Sequence, residues 1–237
     1  MAEKVVVPSS QCVIVPDGLN DIIAAAIVIP GMSSWVALKD RARFVAGETV
    51  LVNGATGTSG RLAVQVAKYL GAKKVIATGR QAAALQSIKA LGADETIVLV
   101  ENRAALENAF KEQFAGGVDV VLDYLWGQSA ECLPIAISRA GTGALIRFIQ
   151  IRTASGANIT LPGAVLRSTP IELKGSGLGS VPVNRIVGAI EELLRAAVAG
   201  RFEIETKSVP LSEVERVWPS DAFTPRVVFT IGENSPA

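Results

Sequence analysis

The sequence contains no histidine, which removes the side chain that most often acts as a general acid or base near neutral pH. Cysteine is almost as scarce, because Cys12 and Cys132 lie far apart and form no CxxC pair. Zinc in proteins is held by Cys and His, sometimes with a carboxylate, so a zinc site is not expected. The cysteine usage favours a reduced, cytoplasmic setting.

Neither sign of charge is in excess, since 23 basic residues balance 22 acidic ones. This balance gives no electrostatic reason to expect nucleic acid or a membrane surface as a partner. The 237 residues, of which 49% are hydrophobic, suffice for one large or two modest domains with a real core.

A long uninterrupted apolar run is also lacking. Residues 22–38 carry no charge, but Pro30 and Gly31 interrupt them, and the run is shorter than the ~20 residues that a membrane-spanning helix needs. We interpret it as a buried helix capped by Asn20, a turn, and a second helix from Ser33 or Ser34. The apolar run at residues 5–7 is too short for a signal peptide. A soluble chain is expected.

The sequence does contain a strand, a glycine turn and a helix in direct succession. The run Thr49–Val52 suits a buried parallel strand, Gly54, Gly57 and Gly60 follow at a spacing of three, and residues 62–70 have a helical apolar pattern. Such a turn lets the backbone approach a pyrophosphate, and the first N–H groups of the helix point at the negative charge. The context predicts a dinucleotide site, with a purely structural turn as the alternative.

Strands and helices alternate from Thr49 onward. Further strands are predicted at 74–78, 95–99, 118–122, 143–150 and 170–174, with helices at 81–91, 103–114, 129–139 and 183–199. This alternation predicts an α/β fold with a doubly wound parallel sheet of six strands, the Rossmann fold. Residues 41–200 would form the dinucleotide-binding domain. Residues 1–40 and 201–237 do not fit the alternation and are interpreted as remnant segments of a second domain, with strands at 204–207 and 227–230.

Several stretches resemble the medium-chain dehydrogenase/reductases, in particular the zinc-independent quinone oxidoreductase branch. They are residues 63–72, 118–123, 173–180 and 226–232, together with a turn in which alanine replaces the first glycine, Ala55-Thr56-Gly57-Thr58-Ser59-Gly60. In that family an N-terminal barrel-like, GroES-like domain precedes this point and forms half of the substrate cleft. The chain is expected to lack most of that domain, either as a fragment or as a natural short relative.

The resemblance implies hydride transfer from NADPH to a quinone or enone, without a metal on the carbonyl oxygen. Because the substrate half is expected to be absent, the alternative is a non-catalytic NADPH-binding module or redox sensor, and the chain alone should reduce quinones poorly. The resemblance also implies a homodimer joined at the edge strand 170–174, with a charged, solvated edge on a monomer as the alternative.

The end of the second strand favours NADPH over NADH. An NAD-selective site uses an Asp or Glu there, yet no acidic residue occurs between Glu48 and Asp94. Arg80 closes the strand instead, and a guanidinium matches a 2′-phosphate with paired hydrogen bonds. The alternative is that Arg80 is an ordinary solvated charge.

Cofactor-binding residues are predicted at the ends of the first, second and fifth strands. Ser33 joins them because it resembles a family hydroxyl on the nicotinamide side, although an N-cap explains it equally well. The full set is Ser33, Asn53, Gly54, Ala55, Thr56, Gly57, Thr58, Ser59, Gly60, Thr78, Gly79, Arg80, Phe148, Ile149 and Gln150. No catalytic residue is predicted, Arg152 receives no role, and Tyr124 and Trp126 are attributed to core packing.

Overall fold

A computed structural model describes residues 2–218 and 225–232. Six parallel strands form the central sheet, in the order β3-β2-β1-β4-β5-β6. They are β1 (Thr49–Asn53), β2 (Lys74–Gly79), β3 (Glu95–Val98), β4 (Val120–Asp123), β5 (Ile146–Gln150) and β6 (Ile171–Gly175). The α-helices are α1 (Asp21–Val36), α2 (Thr58–Tyr69), α3 (Ala82–Ala90), α4 (Arg103–Ala115), α5 (Gly127–Ala140), α6 (Gly163–Ser168), α7 (Val183–Ala199) and α8 (Val214–Val217).

Both faces of the sheet are buried, which explains the unbroken apolar character of its central strands. In β1, Val50 and Val52 pack with α1, α2 and α7, whereas Leu51 faces the cluster formed by α4 and α5. In register, Val52 pairs with Ala77 of β2 and Leu122 of β4. The predicted doubly wound α/β fold is confirmed.

The strand and helix boundaries follow the sequence predictions within a few residues. The helix predicted at 183–199 has those bounds, while β4 and β5 begin two and three residues later than predicted. Residues 206–210 and 226–230 form a separate pair of parallel strands, β7 (Thr206–Pro210) and β8 (Arg226–Thr230). The predicted strand at 204–207 therefore begins too early.

The prediction of a turn at Pro30 and Gly31, followed by a second helix, was wrong. Helix α1 runs through both residues and continues as a π-helix, Ala37–Ala42. Its start is as predicted, since the Asn20 side chain accepts hydrogen bonds from Ile22 N and Ile23 N. Packing stabilises the middle of the helix. A Cβ atom on Gly31 would lie 3.0 Å from Leu193 of α7, so glycine allows the two helices to approach closely. This tertiary contact overrides the local preference for a break.

By length and composition, one helical segment of the described residues, Asp21–Ala42, could cross a membrane. About 61% of its most apolar window is buried within the protein. Since α1 packs against α2 and α7 of the dinucleotide fold, its apolar composition is that of a core helix. The division of the chain at residues 40 and 200 stays a prediction.

Candidate cofactor-binding site

The glycine turn between β1 and α2 brings two backbone segments into direct contact. Gly54 has a φ of +92°, in the left-handed region that glycine tolerates best. A Cβ atom on Gly60 would lie 2.2 Å from the Gly54 carbonyl oxygen. Gly57 differs from both, because its φ is −78° and a Cβ atom there would meet nothing within 4 Å. The turn therefore packs on itself at Gly60 and is open to a ligand at Gly57.

A chain of buried hydrogen bonds supports the turn from below. The Gly54 N–H donates to Thr78 Oγ1 at 3.0 Å, and Thr78 Oγ1 donates to Asn53 Oδ1 at 2.8 Å. The Asn53 amide then donates to Asp123 Oδ1 at 2.7 Å and to Ser129 Oγ at 2.9 Å. The ends of β2, β1 and β4 are thereby joined beneath the turn.

Asp123 also holds the turn that follows β4. Its carboxylate accepts hydrogen bonds from the backbone N–H of Leu125 at 3.1 Å and from that of Trp126 at 3.1 and 3.2 Å. Burial raises the pKa of the Asp123 carboxyl to about 6, although the Asn53 and backbone hydrogen bonds act in the opposite direction. Trp126 adopts a φ of +58°, a strained conformation that this carboxylate stabilises.

A cavity of about 490 Å³ opens at the carboxyl ends of the strands, where ligands of doubly wound sheets bind. Residues from the turns after β1, β2, β3, β4 and β5 and from β8 line it. They are Gly54, Thr56, Gly57, Thr58, Ser59, Gly60, Gly79, Arg80, Leu99, Tyr124, Leu125, Arg152, Ala154 and Arg226. The structure thus brings Arg80 and most of the predicted glycine turn to one cavity.

The other predicted residues do not line this cavity. Asn53, Ala55, Thr78, Phe148 and Ile149 are fully buried, and Gln150 is half-buried at the end of β5. The first three support the turn through packing and hydrogen bonds, whereas Phe148 and Ile149 belong to the two apolar clusters on opposite faces of the sheet. A contact between these residues and a cofactor stays a prediction.

Ser33 lies behind the cavity rather than in its wall. Its hydroxyl donates to the Pro30 carbonyl at 2.7 Å and lies 3.4 Å from the Tyr124 hydroxyl. The Tyr124 ring is buried, as expected from core packing, but it also lines the cavity. Burial raises the pKa of the Tyr124 phenol to about 12, so the hydroxyl is protonated near neutral pH.

Sequence reasoning missed six of the lining residues, which are Leu99, Tyr124, Leu125, Arg152, Ala154 and Arg226. Five of them follow β3, β4 or β5, and the rule that ligands bind beyond the carboxyl ends of strands could have identified them. The same rule does not identify Arg226, because this residue begins β8, outside the main sheet.

The charge of the cavity wall is positive. Arg80, Arg152 and Arg226 line it, and its lining among residues 2–218 and 225–232 includes no carboxylate. Within residues 2–218 and 225–232, none of the three guanidinium groups forms an ion pair. Together with the N-terminus of α2, they favour an anionic ligand.

The described residues contain no group of three or more His, Cys, Asp or Glu side chains that could hold a metal ion. The whole sequence also lacks histidine, a ligand of most protein zinc sites. The described residues therefore do not fit a zinc centre.

Comparison with known proteins places this fold and cavity in a family. Residues 60–195 match the family model described as zinc-binding dehydrogenase. A probable NADPH-dependent quinone reductase from Emericella nidulans is 32% identical over 213 residues, which are 86% of this chain and 59% of that protein. A phenolphthiocerol synthesis polyketide synthase from Mycobacterium bovis is 28% identical over 82% of this chain and 9% of its own length.

Solved structures share the same fold. The mycobacterial protein Rv1454c, solved in complex with NADPH, superposes with a TM-score of 0.75 at 22% identity, over 89% of this chain and 64% of that one. AibC superposes with a TM-score of 0.74 at 25% identity, over 92% of this chain and 59% of its own. The chain thus spans about three fifths of these proteins.

The chain belongs to the zinc-binding dehydrogenase family, and the predicted resemblance to the quinone oxidoreductase branch of the medium-chain dehydrogenase/reductases is confirmed.

Proposed function

We propose that this chain forms the NADPH-binding part of an oxidoreductase that reduces a quinone or another α,β-unsaturated carbonyl compound. One observation carries the proposal: the glycine turn, the N-terminus of α2 and Arg80 line the same cavity, and no carboxylate is among its described lining residues. The turn and the helix N-terminus suit a pyrophosphate, and Arg80 suits the 2′-phosphate that distinguishes NADPH from NADH. The NADPH named for the Emericella relative agrees with this assignment.

Different residues of the chain would bind different parts of the cofactor. The backbone N–H groups at the start of α2 would bind the pyrophosphate, because Gly57 leaves the approach open. Arg80, at the end of β2, would bind the 2′-phosphate of the adenosine half. Tyr124, Leu125 and Ala154 lie at the ends of β4 and β5 and would exclude water around the nicotinamide half.

Bound NADPH would supply a hydride to the acceptor, and the protein would hold the acceptor against it. We propose that the reaction proceeds without zinc, because the sequence has no histidine and the described residues contain no suitable ligand cluster. The proposed acceptor class is supported by relatives that include a probable quinone reductase and several polyketide synthases. Both quinones and unsaturated thioesters are therefore candidate acceptors.

A non-catalytic NADPH-binding module or redox sensor is the second candidate. It is favoured by the cavity wall, because the described lining residues include no carboxylate or cysteine, and burial raises the pKa of Tyr124 to about 12. Tyr124 would therefore be a poor proton donor to an acceptor near neutral pH. An acceptor would then take its proton from water or would not be reduced.

Two measurements test the proposals. Titration followed by NADPH fluorescence should show saturable binding, and failure to bind would contradict both candidates. NADPH oxidation should then be followed with 1,4-benzoquinone and with a crotonyl thioester, after subtraction of the uncatalysed rates. Saturable oxidation would support the enzyme, whereas binding without oxidation would support the module.

A further inference from the structure

Arg152 lies at the opposite end of the cavity from Arg80. It follows β5, whereas Arg80 follows β2, and β1 and β4 lie between these strands. Neighbouring strands are spaced by roughly 4.8 Å, so the two arginine backbones are separated by about 14 Å across the sheet. The phosphate-binding turn follows β1, close to Arg80. Arg152 therefore lies at the proposed nicotinamide end of the cavity, away from the groups proposed to bind the cofactor phosphates.

The backbone around Arg152 is held in place. The N–H groups of Ile151 and Arg152 donate to the Asp123 carbonyl at 2.8 and 3.3 Å. Ala154 N–H donates to the Tyr124 carbonyl at 3.3 Å, and Ser155 N–H donates to the Leu125 carbonyl at 2.7 Å. These bonds attach the loop after β5 to the turn after β4. The guanidinium is thus presented from an ordered loop rather than from a free one.

The surroundings of Arg152 within the cavity are apolar. Tyr124, Leu125 and Ala154 line the same end of the wall, and Arg152 itself is exposed. In the part of the chain that the structure describes, no carboxylate lines the cavity and none forms an ion pair with Arg152. An arginine beside apolar side chains matches a ligand with an apolar body and an anionic group.

We propose that Arg152 binds an anionic group on the acceptor, so that the cavity selects apolar acceptors bearing a carboxylate, sulfonate or phosphate over neutral ones. This inference rests on the proposed function, because it assumes that the cofactor occupies the turn and the Arg80 end. It adds a specificity-determining residue and a substrate class to that site. An alternative role, in which Arg152 binds a phosphate of NADPH, is an outcome of the test.

The experiment compares two probes that differ mainly in charge. Calorimetric titrations of the NADP⁺-loaded protein would use 1,4-naphthoquinone-2-sulfonate and uncharged 1,4-naphthoquinone. The oxidised cofactor prevents turnover, so the readout is binding alone. Wild type should bind the sulfonate more tightly. In Arg152→Ala that affinity should fall about tenfold or more, as expected for a lost charge-assisted hydrogen bond, while the affinity for the neutral quinone should change little.

Two further variants complete the test. Arg152→Lys should retain part of the sulfonate affinity, and Arg167→Ala, which removes an exposed arginine outside the cavity lining, should leave it unchanged. The inference would be overturned by equal sulfonate affinity in wild type and Arg152→Ala, by no sulfonate binding to wild type, or by an Arg152→Ala variant that loses NADPH affinity instead. Failure of wild type to bind any cofactor would overturn the proposed function as well, which distinguishes the two failures.

Discussion

The carbonyl oxygen of Gly54 lies 2.2 Å from the position that a Cβ atom would occupy on Gly60. The same Cβ atom would lie 2.6 Å from the Cα of Ala55, so the first turn of α2 has no room for a side chain there. Gly60→Ala should therefore force the helix away from β1. We expect a loss of stability of about 1–3 kcal/mol, the usual cost of overpacking, measured by urea unfolding.

Gly57→Ala is the matched control for this substitution. Gly57 has an ordinary φ of −78° and open space around it, so the added methyl should leave the unfolding midpoint nearly unchanged. It should nevertheless weaken NADPH binding, because the methyl projects where phosphate oxygens would approach the helix N-terminus. Equal stabilities for the two variants would contradict the packing at Gly60, and unchanged NADPH affinity in Gly57→Ala would contradict the phosphate assignment.

Arg80 should make NADPH bind more tightly than NADH. Arg80→Ala removes the guanidinium proposed to bind the 2′-phosphate, and it should cost about 1.5–3 kcal/mol for NADPH and little for NADH. Since Arg80 is exposed, a value near the lower end is expected. Dissociation constants for both cofactors can be measured by fluorescence in wild type, Arg80→Ala and the control Arg167→Ala. Equal affinities for the two cofactors in wild type would refute the prediction.

Ionisation of Asp123 should lower the free energy of unfolding as the pH rises. Its pKa is about 6 in the folded protein, above the value of 3.8 for an unperturbed carboxyl, because burial disfavours the charged form. The folded state therefore binds the proton more tightly, and stability is lost as ionisation proceeds between about pH 4 and pH 6. The change should be on the order of 2–3 kcal/mol.

Asp123→Asn isolates this component, because it removes the titrating group and keeps a side-chain oxygen for the backbone N–H groups. The difference in free energy of unfolding, wild type minus variant, should decrease from pH 4 to pH 6 and stay level above. Carboxylates with lowered pKa values, such as Glu192 and Asp94, occur in both proteins and cancel in the difference. A difference that is independent of pH, or that increases with pH, would refute the prediction.

The predicted homodimer can be tested by substitutions in the strand at the edge of the sheet. β6 is the terminal strand, as the sequence indicated. Ile146 N–H donates to the Pro170 carbonyl and Ser176 N–H donates to the Gln150 carbonyl. In a parallel ladder, the backbone groups of successive residues point alternately to the two sides of the strand. Since those of Pro170 and Ser176 point towards β5, the N–H groups of even-numbered residues in β6 face β5, and the N–H of Leu173 faces the open edge.

Leu173→Pro should therefore disrupt edge pairing while it spares the ladder within the subunit. We expect a dimer in wild type and a folded monomer in the variant, measured by light scattering at micromolar concentration with circular dichroism. Glu172→Pro is the contrasting variant, because its missing N–H belongs to the ladder with β5 and should destabilise the fold itself. A wild-type monomer at all concentrations, or a dimer indifferent to Leu173→Pro, would exclude the edge model.

Local sequence was sufficient to predict the fold and the glycine turn between β1 and α2. Buried strands that alternate with amphipathic helices specify a parallel sheet, and three glycines between such a strand and helix specify the turn. Arg80 could be placed at the cavity because the residue after β2 is defined by the end of that strand. Each of these inferences depends on residues that are close together in the chain.

The course of α1, the pKa of Asp123 and the set of arginines in the cavity depend on tertiary structure. Pro30 breaks most helices, yet α1 continues through it because Gly31 packs on Leu193, a contact between residues far apart in sequence. The pKa of Asp123 depends on its burial beneath two neighbouring turns, which no local pattern reports. Arg152 and Arg226 share one cavity with Arg80 only because the strand order and β8 bring three distant segments together.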